Sequence, residues 1–215
     1  ADSASVAALR QQLGLDQPLP VQIGVYMKNL AQGDLGRSIA TNRPVMDTIL
    51  ERLPATAILA GSSIAIATIL GILLGVITSW KANTWIDTLT MGTSLLGISL
   101  PAFVVGLLFV LVFGVILEWF PNSGYLDRGA EYLVLPMITL AIRPLSIIAR
   151  ITRSSMLDVL GQDYVRTARA KGLSESRVLY GHVFRNAMLI VIAGFPAVFI
   201  GVFFGGSLII ETIFS

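Results

Sequence analysis

Few side chains in this sequence could do chemistry, and their spacing argues against catalysis by the chain itself. His182 is the single histidine and cysteine is absent, so no second imidazole or thiol can join it on a metal ion. Polar packing near a membrane surface suits His182 better. The serines of the apolar segments have no histidine beside them, and no acid or base pair suited to proton transfer falls inside such a segment, which leaves an intramembrane hydrolase poorly supported. Nowhere does Gly-x-x-x-x-Gly-Lys-Ser/Thr occur, the stretch whose backbone amides cradle nucleotide phosphates. The expectation is a non-enzymatic chain with no catalytic residue, no metal site and no bound cofactor.

Two features carry more. Arg143 lies inside an apolar stretch, where a charge costs about 2.5–3.5 kcal/mol on the mild insertion scale, so it belongs in a cavity, a solute path or an ion pair. Small residues crowd together in Thr167-Ala168-Arg169-Ala170-Lys171-Gly172. Small side chains let the groove of another protein approach closely, and Gly172 can take the left-handed conformation that ends a helix.

Such residues must be held by helices that cross lipid. Of the 215 residues 54% are hydrophobic and 13% charged, and the mean hydropathy of +0.78 places the chain in the membrane class. A net charge of +2 with pI near 9.2 does not point to nucleic acid, because the bases are scattered between apolar blocks. A crossing helix needs about 20 apolar residues, and four runs qualify. Residues 55–80 are uncharged between Arg52 and Lys81 and end on Trp80. Residues 88–117 are uncharged between Asp87 and Glu118 and are closed by Trp119 and Phe120; Pro101, after Gly97 and Ser99, predicts a kink. The run 132–148 is interrupted by Pro136, Arg143 and Pro144 and reads as a span lining a polar path or as a re-entrant segment. The run 187–210 is uncharged and carries Gly194, Pro196, Gly201, Gly205 and Gly206, the last three forming a small-residue stripe that predicts close helix packing. Ser99, Pro101, Arg143 and Pro196 are the candidates for a translocation path or gate.

Outside the spans, Val6, Leu9 and Leu13, then Val21, Val25, Tyr26 and Leu30, recur at helical spacing on either side of Gln17-Pro18-Leu19-Pro20, which predicts two short surface helices and a turn. Residues 150–185 hold seven bases (Arg150, Arg153, Arg166, Arg169, Lys171, Arg177, Arg185) against Asp158, Asp163 and Glu175. The positive-inside rule makes this loop cytoplasmic, and alternation then puts Lys81 inside and both the amino-terminal region and residues 118–131 outside. The division expected is a periplasmic or interfacial segment, 1–52, and a transmembrane domain, 53–215, that includes a cytoplasmic loop, 150–186. Met156, Leu157, Leu160, Tyr164 and Ala168 follow helical spacing, so an amphipathic helix should continue from the third span to a turn at Gly172, with Ser174 capping a second short helix. Because the chain begins at Ala1 rather than Met and stops after an apolar block, it reads as an internal fragment.

The loop Asp163-Tyr164-Val165-Arg166-Thr167-Ala168-Arg169-Ala170-Lys171-Gly172-Leu173-Ser174 resembles the motif by which permeases of ABC importers engage their ATPases, in the version of the dipeptide, oligopeptide and nickel family. Leu13 to Pro18, Gly33 to Ser38, Ile98 to Phe103, Arg150 to Ser155 and Arg185-Asn186-Ala187 are similar as well, so the resemblance covers nearly the whole chain. Where the broader importer motif has Glu-Ala-Ala, this loop has Arg166, Thr167 and Ala168, and His182 to Arg185 replace its closing apolar residues and proline. Both departures resemble the peptide and nickel branch rather than the sugar or amino-acid branches. The resemblance implies an all-α permease bundle in the bacterial inner membrane, a multi-pass fragment with four spans of a usual six. It implies an ATPase-coupling role for Tyr164, Arg166, Thr167, Ala168, Ala170, Gly172, Leu173 and Ser174. It also implies partners: a second permease in a heterodimer, two cytoplasmic ATPases and a periplasmic substrate-binding protein that delivers a peptide or related solute. A self-sufficient channel or secondary transporter is the rival reading, and would call for coupling acids or inverted repeats. A scaffold without transport would leave the glycine-centred loop unexplained.

Overall fold

The computed structural model describes residues 16–39, 41–122, 124 and 129–214. The expected helix through Val6, Leu9 and Leu13 lies outside them. The chain forms two compact units, within Ala1–Pro54 and Ala55–Ser215. In the first, α1 (Leu19–Ala31) starts behind Pro18 and buries none of its residues. Gly33 and Gly36 take positive φ (81° and 76°), and the Asp34 carboxylate accepts the Gly36 amide at 2.8 Å, which closes the turn. A short bridge pairs Arg37 with Pro44. The Arg43 guanidinium meets Glu51 at 2.7 Å on the first turns of α2 (Val45–Trp80).

The second unit holds the rest of α2, then α3 (Trp85–Ser99), α4 (Ala102–Ile116), α5 (Glu131–Leu160), α6 (Asp163–Ala170) and α7 (Glu175–Phe214). Three of these helices, α2, α5 and α7, are long and apolar enough to cross a membrane, or four if α3 and α4 are one broken span. Half of the most apolar stretch of α5 is buried, against 33% for α2 and 22% for α7, so α5 is the central helix. The packing along α2 fixes its direction. The Ser63 hydroxyl donates to the Met137 carbonyl at 3.1 Å. Gly71 lies against Leu145 and Ile148, and Gly75 against Ala149 and Thr152. Ascending numbers pair with ascending numbers, so α2 and α5 run parallel. They close tightest at Gly75, where a methyl group would stand 2.7 Å from the Ala149 carbonyl oxygen. Without a hydrophobic drive between helices in lipid, such small residues let backbones approach and dispersion accumulate.

Contacts of the later helices with α5 run in the opposite order, clearest along α3 and α7. On α3, Asp87 meets Arg153 and Gly97 lies against Ser146 and Ile142; on α4, Gly106 lies against Thr139 and Phe214. On α7, Met188 and Val191 share a core with Ile148 and Met156, while Gly206 lies against Leu140 and Phe214 packs with Leu135.

Three expectations change. The run 88–117 is not a kinked helix. α3 and α4 are separate and bent by 104°, with Leu100 (ψ 129°) and Pro101 (ψ 137°) extended between them. Proline drives its predecessor out of the helical region, and the Pro101 carbonyl then accepts Val104 at 3.0 Å to start α4 afresh. Across the pair the contacts with α5 progress from Arg153 through Ser146 to Thr139. The run 132–148 is a span, and its bounds widen: α5 passes through Pro136 and Pro144, both buried among its neighbours, for 30 residues. The stripe Gly201, Gly205 and Gly206 is wound as a π-helical turn, Gly201–Gly206. Only Gly206 meets a neighbouring helix, whereas Gly201 and Gly205 have open space beside them.

Gly75→Ala is expected to destabilise the protein in detergent by about 1–3 kcal/mol through overpacking, read as a lowered thermal unfolding midpoint. Gly61→Ala, on the same helix with open space beside it, should be neutral or slightly stabilising.

Candidate functional site

The loop after α5 folds into a compact helix, turn and helix. The amphipathic helix does not run on unbroken as its spacing suggests; α5 ends at Leu160, Gln162 is extended (ψ 148°), and α6 begins at Asp163. One face of α6 is anchored. Val165 and Ala168 are buried together with Met156, Val178, Leu179, Val183 and Ala187. Ala168 is therefore part of the core under the loop, not a contact offered outward: its small side chain lets α6 settle onto the packed helices below.

Asp163 and Arg169 stand in the first and last turns of α6, where the helix dipole favours each sign. The helix then ends in a Schellman turn. The Leu173 amide donates to the Ala168 carbonyl at 3.4 Å, the Gly172 amide donates to Arg169 at 2.9 Å, and Gly172 takes φ +76°. Leu173 packs half-buried against the core beneath. Across the turn, the Arg169 guanidinium grips Glu175 through two bonds of 2.8 and 3.2 Å; both side chains are exposed, which keeps the pair worth under about 1 kcal/mol. Ser174 occupies the position before α7 and its carbonyl accepts Val178 at 3.0 Å, but its hydroxyl makes no capping bond.

The outer face carries Tyr164, Arg166, Thr167, Ala170 and Gly172, all exposed. No atom lies within 4 Å of where a Gly172 side chain would start. The Thr167 hydroxyl bonds back to the Asp163 carbonyl at 2.9 Å, and Arg166 reaches Asp163 at 3.4 Å. Tyr164 is fixed by a partner that its sequence position does not suggest: Asn186 of α7 donates to its hydroxyl at 2.9 Å and to the His182 carbonyl at 3.0 Å. No group of three or more potential metal ligands occurs among the described residues.

The residues proposed for a path are dispersed. Ser99 and Pro101 sit exposed at the break between α3 and α4. Arg143 is not enclosed within this chain: it is exposed on α5 and forms no ion pair among the described residues. An open cleft of about 900 Å³ lies between α3, α5 and α7, lined by Leu95, Ile98, Ile147, Arg150, Ser154 and Asp158 among others. Pro196 stands apart, on an apolar cavity of about 500 Å³ shared with Thr68 and Ile72 of α2.

The buried ion pair of Asp87 with Arg153 is the feature that sequence reasoning missed. Both Arg153 nitrogens reach the carboxylate, Nε at 2.5 Å and Nη2 at 2.6 Å. Asp87 borders the apolar run 88–117 and Arg153 follows the run 132–148 by five residues; opposite charges near the same-side ends of two runs were the available signal.

An all-helical bundle with several helices long and apolar enough to span lipid, and with a polar knob anchored on its core, is built as an integral membrane protein. Residues 67–215 match the family described as binding-protein-dependent transport system inner membrane component. A protein of Brucella abortus (strain 2308), assigned by name to a peptide transport system permease, is 44% identical over 221 residues, covering 100% of this chain and 70% of that one. The glutathione transport system permease protein of Escherichia coli (strain K12) is 43% identical over 215 residues, covering 100% and 69%. The chain belongs to the binding-protein-dependent transport system inner membrane component family. It is a membrane-spanning permease subunit of that class of transporter.

Gly172→Val is expected to destabilise the turn by about 1–2 kcal/mol, because a β-branched residue resists positive φ, whereas Gly172→Asn should cost well under half of that. Thermal unfolding of the purified protein separates the two, and since the space beside Gly172 is open, crowding within the chain contributes nothing.

Proposed function

We propose that this chain is one of two permeases in an ATP-driven importer of the bacterial inner membrane, that it hydrolyses nothing itself, and that it carries a peptide or peptide-like solute delivered by an external binding protein. The observation that carries the reading is the knob between α5 and α7: anchored below through Val165 and Ala168, open above at Gly172. A groove on a cytoplasmic ATPase would seat the exposed face of α6 and the glycine turn, so that closure of two ATPases displaces the helices continuous with the knob. The names of the two relatives support a peptide-like cargo.

The orientation follows from charge and helix direction together. The basic knob faces the cytoplasm, and α5 enters it from outside. The parallel α2 does the same, and the opposed α3–α4 pair and α7 return outward, making four crossings. Arg143, exposed on this chain and unfavourable toward lipid, then faces the solute path or the second permease.

Single cysteines at Ser174 and Asn122 are expected to react with a membrane-impermeant thiol reagent from opposite sides, Asn122 from outside intact cells; labelling of Ser174 from outside would refute the orientation. In cells lacking the full-length gene, uptake of labelled dipeptide or glutathione should fall, and a selective loss of nickel uptake would overturn the peptide reading. Gly172→Val in the reconstituted transporter should abolish stimulated ATPase activity and uptake, and normal stimulation would place the coupling surface elsewhere.

A further inference from the structure

The pairing of Asp87 with Arg153 is stronger than the surrounding packing requires. Among the described residues the other ion pairs have both side chains at least 41% exposed, whereas here Arg153 is 23% and Asp87 only 5% exposed. The carboxylate is over-determined. Besides the arginine fork, the Asp87 carboxylate accepts the Asn83 amide at 2.9 Å, and Asn83 holds φ +62° to deliver it. Asp87 also lies in the first turn of α3, where the helix dipole favours a negative charge. The turn between α2 and α3, the start of α3 and the end of α5 are thereby tied at one point.

The place of that point in the chain matters. Arg153 stands on α5 ten residues before Asp163, where the knob begins, and α5 is continuous from Arg153 to Leu160. Asp87 opens α3, which runs straight to the break at Leu100 and Pro101. Elsewhere α3 touches α5 through apolar and small groups such as Gly97, Ile142 and Ser146. Surfaces of that kind can slide. A bidentate pair on a buried carboxylate cannot slide without giving up both bonds, so α3 follows α5 as a unit.

We propose that Asp87 and Arg153 are positioning residues that transmit displacement of the knob to the break at Leu100–Pro101, so that movement of a partner ATPase opens or closes the solute path on the α4 side. This rests on the reading of the knob as an ATPase contact. Arg153 also borders the open cleft between α3, α5 and α7; the contribution proposed for the pair is mechanical, converting a push on α6 into a movement of α3.

The test uses the complete transporter, with full-length chain, second permease, ATPases and binding protein, in proteoliposomes, and reads uptake per ATP hydrolysed. Asp87→Asn and Arg153→Lys are each expected to leave the complex assembled and its basal ATP hydrolysis near wild type, while uptake per ATP falls by about tenfold, within the usual range of coupling between sites. Lysine keeps the charge but not the fork, so Arg153→Lys decides the question if Asp87→Asn fails to assemble. An unchanged ratio in the assembled variants overturns the proposal, as does a loss of uptake, hydrolysis and assembly in equal proportion. A wild-type complex without ATP-driven uptake would instead refute the importer reading.

Discussion

The close approach of α2 and α5 at Gly71 and Gly75 is the contact on which the rest of the bundle depends. Lipid gives no hydrophobic reward for bringing two apolar helices together, so the gain must come from dispersion between backbones brought near, and a glycine is what permits it. Because the two helices run parallel over Ser63 to Gly75 and Met137 to Thr152, they cannot be joined by a short turn. The chain must return between them, and α3 and α4 are that return. The central place of α5 follows, since it is flanked by α2, by the returning pair and by α7, and it carries the largest buried share of the long apolar helices.

That arrangement separates two duties within one helix. The first half of α5 is packed among Leu59, Ile64, Ile210 and Phe214, and its last turns share a second core with α6 and the start of α7. The knob is thus a continuation of the most constrained helix rather than an appended loop. Its underside is apolar and its outer face polar, which is what a surface needs if it is to be pushed by a partner without deforming. The Schellman turn at Gly172 and the bond from Asn186 to Tyr164 fix the shape of the outer face, while Arg169 and Glu175 add little energy and mainly orient the turn.

Several stretches depart from regular α-helix. The extended residues Leu100 and Pro101 separate α3 from α4, and π-helical turns occur at Val110–Ile116, Val178–Phe184 and Gly201–Gly206. Irregular backbone at membrane depth is tolerated only where protein or a cavity supports it. Wide turns of this kind recur at functional positions. In a permease whose helices must exchange between packed arrangements, such interruptions are where small rotations can be absorbed.

Composition and periodicity alone determined that this is a membrane protein, where its apolar runs lie, which loop is basic, and that the loop turns at a glycine, because each follows from local chemistry: transfer energy, charge count, and the conformational freedom of Gly172. The motif-level resemblance of the loop carried the family. What the sequence could not specify depended on contacts between distant residues. Pro101 announced an irregularity, but the 104° bend between α3 and α4 could not be read from its position. Pro136 and Pro144 looked like interruptions, yet burial on every side carried α5 through them. Ala168 looked like part of an outward surface, and the helix phase set by Val165 turned it inward. Asp87 bordered an apolar run and Arg153 stood among the bases of the loop, 66 positions away. Only the antiparallel course of α3 against α5 made them partners, and pairing across such a separation is a tertiary property by its nature, since a buried carboxylate needs a partner that its own segment does not supply.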